Sequence, residues 1–166
     1  RITLNRVDVR NAQDKTMLYE LNQAFDLAAR DDGVKVIILA ANGPHFSSGH
    51  DLSDRSDVQD FQAVGNWGSF DKPGAEGRQA IEEEIYLGLC WRWRNLPKPT
   101  IAEVQGKVIA GGLMLIWVCD LIVASEDATF SDPVVAFGVN GVEYFAHAWE
   151  FGMRKAKEIL FTGGSI

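Results

Sequence analysis

The chain has 166 residues, a length that predicts one compact domain. Lys and Arg number 16 against 23 Asp and Glu, and the net charge of −7 argues against nucleic acid or an anionic membrane surface as a partner, because both need basic patches. Hydrophobic residues make up 46% of the chain, which is enough for a core and argues against disorder.

The cysteines predict a reducing, cytoplasmic setting. The 2 cysteines are too few for a disulfide scaffold, and no cysteine–histidine cluster has zinc-ligand spacing. Cys90 and Cys119 lie in apolar stretches, so we expect buried free thiols. The longest apolar run, Val108 to Cys119, is far shorter than the roughly 20 residues that span a bilayer. We therefore expect no metal site and no membrane span.

The first part of the chain predicts a strand, a helix and a buried strand. Ile2 to Leu4 alternates and is rich in β-forming residues. Apolar residues at helical spacing follow the N-cap candidate Asp14, and this helix should end near Arg30, before the stop signal at 31–33. Val34 to Ala41 is almost entirely apolar, which is typical of a central strand in a parallel sheet. We expect low solvent exposure across Val36, Ile37, Ile38 and Leu39.

The remaining chain predicts alternating helices and strands. Residues 53–77 are polar and contain glycines, so we expect a mobile loop, and long loops are often functional. Gln79 to Asn95 predicts a helix, and Thr100 to Val104 predicts a strand. A further helix should begin at Gly111-Gly112, and Asp120 to Ala124 should form a short strand. This alternation indicates an α/β fold.

Two glycine-bearing turns are the first candidate site. One is Ser48 to Asp51, and the other runs from Gly106 to Gly111-Gly112, directly before an apolar helix. Glycines at a helix start let the backbone approach a ligand and leave free N–H groups. Two such turns facing each other could hold one carbonyl oxygen between two backbone N–H groups. Ordinary turn chemistry is the alternative interpretation.

Several short motifs follow one another along nearly the whole chain: Ile2 to Arg6, Phe46 to Leu52, Lys98 to Ala102, Gly106 to Asp120, Ala128 to Phe130 and Leu160 to Gly163. Each is weak alone, but the ordered set resembles the enoyl-CoA hydratase/isomerase (crotonase) superfamily. The resemblance implies a crotonase-like spiral of ββα units within the α/β class. It also implies a coenzyme A thioester as substrate and no separate cofactor.

The resemblance extends to domain organisation and assembly. Residues 1–166 correspond to the N-terminal core domain of a crotonase-like protein. Leu160 to Gly164 resembles the point where family members enter a C-terminal helical region that joins subunits. We therefore expect a chain that stops before this region, and an assembly that is a homotrimer or a hexamer.

Family positions also imply the oxyanion-binding residues. The first donor would be the backbone N–H of His50, and the second that of Gly111. The acyl-pantetheine path would be lined by His50, Asp51, Leu52 and Ser53. Negative charge grows on the thioester oxygen when an enolate forms, and paired amides stabilise that charge.

The sequence departs from the hydratases of this family at two positions. Where they carry two proton-transferring glutamates, this chain has Met114 and Val134. Neither side chain can accept or donate a proton, whereas hydration of an enoyl thioester needs general acid–base groups. We therefore do not expect ordinary hydration.

Other titratable residues are candidates for proton transfer. Glu143 is our first choice for the base, although a helix-start charge is an equally open interpretation. Asp132 is the weaker candidate, because its position is typical of a solvated turn or cap residue. We expect the His50 ring to be a hydrogen-bonded loop histidine, and His45 and His147 have weaker claims.

Two functions of different classes remain open from the sequence. One is an acyl-CoA enzyme that performs isomerisation, decarboxylation, thioester hydrolysis or C–C bond cleavage. The alternative is a non-catalytic acyl-CoA-binding protein or an assembly subunit. A serine hydrolase using Ser47 or Ser48 is disfavoured, because no nucleophile-elbow motif surrounds either serine.

Overall fold

Parallel strands form two sheets in the computed structural model, which describes residues 1–54, 61–65, 68, 70–138 and 142–166. Within these ranges the larger sheet has four strands in the order β1-β2-β3-β5, and the smaller sheet pairs β4 with β6. All of these pairs are parallel. The strands are β1 (Ile2–Leu4), β2 (Ile37–Ala41), β3 (Thr100–Val104), β4 (Lys107–Ile109), β5 (Leu121–Ala124) and β6 (Thr129–Ser131).

Helices connect the strands. A 3₁₀ turn (Val7–Val9) precedes α1, and a π-helical turn (Glu83–Gly88) joins α2 to α3 without a break. The helices are α1 (Lys15–Arg30), α2 (Gly74–Glu82), α3 (Leu89–Arg94), α4 (Gly111–Trp117), α5 (Val134–Phe137), α6 (His147–Glu150) and α7 (Met153–Thr162). Among the described residues, none of the helices is long and apolar enough to cross a membrane.

A strand–strand–helix unit repeats along the chain. In β3-β4-α4 and again in β5-β6-α5, the first strand lies in the larger sheet and the second in the smaller one. A single-residue version follows β2, where Ser47 pairs with Val108 of β4 in a parallel bridge. This is the repeated ββα unit that the family resemblance implied.

The first helix and the second strand test the sequence predictions in detail. Helix α1 is confirmed, since the Asp14 carboxylate caps it by accepting a hydrogen bond from the Met17 N–H at 2.8 Å. The predicted start of β2 is wrong, because pairing begins only where the Ile37 N–H donates to the Pro99 carbonyl. Val34 instead closes a turn with Asp31, and Val36 is 44% exposed rather than buried.

The helical stretch before β3 begins earlier than predicted. It runs from Gly74 to Arg94, so residues 74–77, which the sequence assigned to a loop, belong to α2. Residues 55–60, 66, 67 and 69 of the predicted mobile loop lie outside the described residues.

The core is built around α4. All seven residues of this helix are buried, so it is apolar on every side rather than amphipathic. Cys90 and Cys119 are buried free thiols, as predicted. A rigid, buried α4 holds the chain that precedes its first turn in a fixed position.

Gly49, in the chain after β2, packs directly against the chain that precedes α4. Its φ of +93° is rarely adopted by residues with a side chain, and a Cβ here would lie 2.8 Å from the Ile109 carbonyl oxygen and 3.3 Å from the Gly111 nitrogen. The packing of the two glycine turns therefore leaves no room for a side chain at this position.

We expect Gly49→Ala to lower the free energy of unfolding by more than the roughly 1–2 kcal/mol of backbone strain that an L-residue meets at positive φ. Gly138→Ala is the matched control, since Gly138 has a left-handed φ of +63° with nothing within 4 Å of a Cβ. Urea unfolding of both variants measures the difference. Equal losses of stability would contradict a contact between the turns.

Candidate functional site

The first turn presents the His50 N–H away from the strand-like segment at Gln13. The Gln13 N–H donates to the Gly49 carbonyl at 2.8 Å, and the Asp51 N–H donates to the Gln13 carbonyl at 2.9 Å. Because successive residues of an extended chain point their N–H groups to opposite sides, the intervening His50 N–H faces the other way. The buried hydroxyl of Ser47, just before this turn, donates to the Asn11 carbonyl and so helps to fix the turn in place.

The second turn is held by Ala110 at the N-terminus of α4. Ala110 has a φ of +46°, a strained value of the kind that clusters at functional sites. Its N–H donates to the Ser131 carbonyl, and its carbonyl accepts from the Leu113 N–H. The N–H of Gly111, the first residue of α4, has no acceptor within the helix. Across the described ranges, no hydrogen bond outside the regular elements is donated by the N–H of His50 or of Gly111.

The two turns pack directly against each other. A Cβ on Gly111 would lie 2.4 Å from Cε1 of His50, and a Cβ on Gly112 would lie 2.9 Å from the Ser47 carbonyl oxygen. Glycine is therefore required on both sides of this contact. The arrangement brings two residues with free backbone donors together next to a helix N-terminus, which favours developing negative charge.

The residues after His50 leave the interior. The Asp51 carboxylate accepts hydrogen bonds from Ser53 and forms an ion pair with Arg6 at 3.1 Å. The hydrogen bonds from Ser53 are the largest cause, and together with Arg6 they hold the pKa of Asp51 below its ordinary value. Leu52 is 76% exposed, and Ser53 is exposed as well. Asp51 thus stabilises the turn, while the next two side chains lie at the surface.

Glu143 lies beside His50 and is held by its neighbours in the chain. The Val142 N–H donates to Glu82 at 3.4 Å, and the Tyr144 N–H donates to the Tyr86 carbonyl at 3.1 Å. Oε1 of Glu143 is then 3.7 Å from Nε2 of His50. Burial, followed by the charges of Asp132 and Glu82, raises the pKa of Glu143 to about 7. Among the candidates from the sequence, Glu143 is the one whose carboxylate lies beside the His50 side chain.

Asp132 corrects one expectation from the sequence. It is 2% exposed rather than solvated, and its Oδ2 lies 2.6 Å from Nε2 of His147. The other carboxylate oxygen accepts from the Val134 N–H, so the predicted capping role is present. His147 is also buried and meets the Trp117 ring edge-on at 4.7 Å between centroids. The contact between Asp132 and His147 connects the two ends of the chain segment that carries Glu143.

The expectation of a hydrogen-bonded His50 ring is also wrong. The ring is buried, and neither Nδ1 nor Nε2 has a hydrogen-bond partner among the described residues. The ring stacks on Tyr86 with 3.6 Å between centroids. Tyr86, in the π-helical turn, is the site residue that sequence reasoning missed, since helical periodicity alone does not mark it. π-Helical turns are frequent at functional sites.

The remaining sequence candidates lie in apolar or peripheral positions. Met114 is 3% exposed within α4, and Val134 is the half-buried first residue of α5. His45 accepts a hydrogen bond from the Lys107 N–H at Nδ1 and so has a backbone partner. None of these three residues contacts Glu143 through a polar atom in the described structure.

Comparisons with known proteins agree with this architecture. The sequence profile of the family described as enoyl-CoA hydratase/isomerase matches residues 1–166. A Mycobacterium tuberculosis protein that carries the name enoyl-CoA hydratase EchA13 is 50% identical over 175 residues, covering 99% of this chain and 54% of its own length. The mitochondrial enoyl-CoA hydratase domain-containing protein 3 of Mus musculus is 34% identical over 168 residues, covering 99% of this chain and 50% of its own.

Solved structures extend the comparison to the fold. The crystal structure of a probable enoyl-CoA hydratase from Mycobacterium thermoresistibile matches with a TM-score of 0.83 and 51% identity, over 99% of this chain and 61% of the other. An enoyl-CoA hydratase/isomerase from Xanthobacter autotrophicus matches with a TM-score of 0.80 and 35% identity, over 98% and 55%. The chain thus spans about half to three fifths of these proteins. The crotonase-like α/β fold is confirmed, and the chain belongs to the enoyl-CoA hydratase/isomerase family.

Proposed function

We propose that this protein is an enzyme that acts on a coenzyme A thioester by stabilising an enolate. The observation that carries the proposal is the contact of the two glycine turns, with the half-buried carboxyl group of Glu143 and its raised pKa beside His50. The family name, which describes proteins acting on enoyl-CoA, supports the substrate class.

The free backbone donors supply the electrostatic part of the mechanism. When the α-carbon of a thioester loses a proton, the charge moves to the carbonyl oxygen. In the proposal, the N–H groups of His50 and Gly111 receive this oxygen. One such donor typically contributes about 2.7–4 kcal/mol to lowering the barrier, because it is preorganised in a site that excludes water.

Glu143 is the proposed base. Its carboxylate is beside the ring of His50, and its raised pKa places the change of protonation near neutral pH, where a general base is most effective. Asp132, the weaker candidate, is engaged by His147 and by the Val134 N–H, so its contacts favour a structural role. The choice among isomerisation, decarboxylation, thioester hydrolysis and C–C cleavage is best made by mass spectrometry of a panel of acyl-CoA thioesters incubated with the protein.

Assembly as a homotrimer or hexamer remains part of the proposal. Apolar side chains of β5 support it, since Leu121 and Val123 are each 61% exposed at the edge of the larger sheet. Exposed apolar patches of this kind commonly mark interfaces. A reducing, cytoplasmic setting also remains a prediction.

We expect negligible hydration of crotonyl-CoA, because the apolar residues Met114 and Val134 occupy the positions implied for the two glutamates. General acid–base help is typically worth 10²–10⁴-fold in rate. A spectrophotometric assay for loss of the enoyl double bond measures this directly. Hydration at rates typical of enzymes would contradict our interpretation of these two positions.

We expect Glu143→Gln to lower turnover of the substrate found by the panel by about 10²–10⁴-fold, because glutamine cannot accept the α-proton. Stability should not fall. The folded-state pKa of about 7 lies above the ordinary 4.5, so this group contributes less stability as pH rises through that window, and glutamine lacks the buried charge. Urea unfolding near pH 8 should therefore find the variant at least as stable as the wild type. Unchanged turnover would exclude Glu143 as the base.

We expect kcat/KM to rise with pH through a midpoint near 7, because Glu143 accepts a proton only as the carboxylate. The groups that face it are Asp132, Glu82, His147, His50 and Tyr86. Asp132→Asn removes a negative charge and should move the midpoint to lower pH. A profile that stays flat between about pH 5 and 9 would contradict a titrating base at this position.

A further inference from the structure

The His50 imidazole is a buried polar group without a protein partner. Its side chain is 13% exposed, and neither ring nitrogen makes a hydrogen bond to a described residue. Buried polar atoms are almost always hydrogen-bonded in folded proteins, and native exceptions are explained by strain, by a catalytic role or by a bound water or ion. The family-derived position of His50 uses only its backbone N–H, so the ring has no role in the mechanism given above.

The ring lies between the two parts of the candidate site. On one side its Cε1 edge faces Gly111, where a Cβ would be only 2.4 Å away, with Nδ1 and Nε2 at 2.6 and 2.9 Å from the same point. On the other side Nε2 is 3.7 Å from Oε1 of Glu143. Tyr86 stacks on the face of the ring and limits its rotation. Both nitrogens are therefore held at the turn that carries the second backbone donor.

Burial determines the charge of this ring. It lowers the pKa of His50 to about 4, and the charge of Asp132 opposes this only in part. Glu143 is shifted in the opposite direction, to about 7. At neutral pH the imidazole is thus uncharged, with one N–H donor and one free lone pair. Two neighbouring groups whose pKa values are driven apart are typical of a base paired with a hydrogen-bond donor.

We propose that the neutral His50 ring donates an N–H hydrogen bond to the thioester carbonyl oxygen, as a third donor beside the backbone N–H groups of His50 and Gly111. The inference rests on the proposed function. Glu143 takes the α-proton, so the C–H bond breaks and an O–H bond forms on the carboxyl group. The C–H electron pair moves into the bond between the α-carbon and the carbonyl carbon, and the oxygen gains the charge. The ring keeps its proton throughout, and the proton on Glu143 is later returned to the product.

The carbonyl stretch of bound butyryl-CoA tests this donor role directly. This saturated thioester, labelled with ¹³C at the carbonyl, has no double bond to isomerise or hydrate. It is used once the panel shows that the protein does not hydrolyse it, and its difference infrared spectrum then reports polarisation of the carbonyl. In the wild type we expect the stretch to lie below that of free butyryl-CoA. His50→Phe keeps the ring stacking and the backbone N–H, and should shift the stretch back toward the free value. His50→Gln retains a side-chain N–H and should keep much of the downshift.

Turnover and a control complete the test. His50→Phe should lose about 10²–10³-fold in kcat on the substrate found by the panel, as expected for one oxyanion donor. His45→Gln is the matched control, because that ring already has a backbone partner, and should leave the stretch unchanged. If His50→Phe does not fold, ¹⁵N NMR of the wild-type protein tests the proposal instead, by reporting whether the His50 imidazole is neutral or protonated. A ring that stays neutral from about pH 6 to 8 supports the donor, and a ring protonated in that range overturns it.

The outcomes separate this inference from the proposed function. Bound butyryl-CoA with the same stretch in His50→Phe and in the wild type would overturn the ring's role, while Glu143 and the backbone donors would stand. Absence of binding of every thioester in the panel to the wild type would overturn both.

Discussion

The contact between the turn at Gly49 and the turn at Gly111 constrains every other part of the site. Neither glycine has room for a Cβ, because the Ile109 carbonyl oxygen blocks the first position and the His50 ring blocks the second. Backbone pairing on either side fixes this contact. Ser47 pairs with Val108 of β4, and His50 pairs with Gln13 just before α1, so the first turn is tied to the smaller sheet and to the chain that leads into α1. Close approach of backbone to backbone is what leaves two N–H groups free for a ligand.

Burial of ionisable groups is the second feature that gives the site its character. His50 and Glu143 are neighbours, and both are shifted toward their neutral forms, with pKa values of about 4 and 7. Burial disfavours the charged form of an ionisable group, so the neutral forms of His50 and Glu143 lower the desolvation free energy of placing both in the interior. The Asp132–His147 pair sits behind Glu143 and adds its field to the site, as Asp132 raises the pKa of Glu143 and His147 lowers it. Structural and chemical roles are thus combined in one cluster.

Local sequence patterns were sufficient for most of the architecture. The cap at Asp14, the alternation at β1 and the glycines before α4 each predicted an element that the structure contains. The predicted β2 was too long, because an apolar run does not reveal where strand pairing stops. Val36 lies outside the residues that pair with β3 and is exposed. Long-range contacts were beyond such patterns. Nothing in the local sequence shows that Asp132 meets His147, since they are 15 positions apart and the pairing depends on the path of the intervening chain.

The same distinction applies to the site. Backbone donors could be placed from glycine turns and family resemblance, whereas side-chain surroundings depend on tertiary packing, as the stacking of His50 on Tyr86 shows. The central claim is that the N–H groups of His50 and Gly111 share one oxygen opposite Glu143. A crystal structure of the protein with a bound acyl-CoA thioester tests it most directly. We expect the thioester oxygen about 3 Å from both nitrogens, with the α-carbon facing the Glu143 carboxyl group. An acyl group bound elsewhere, or either N–H turned away from that oxygen, would contradict the account.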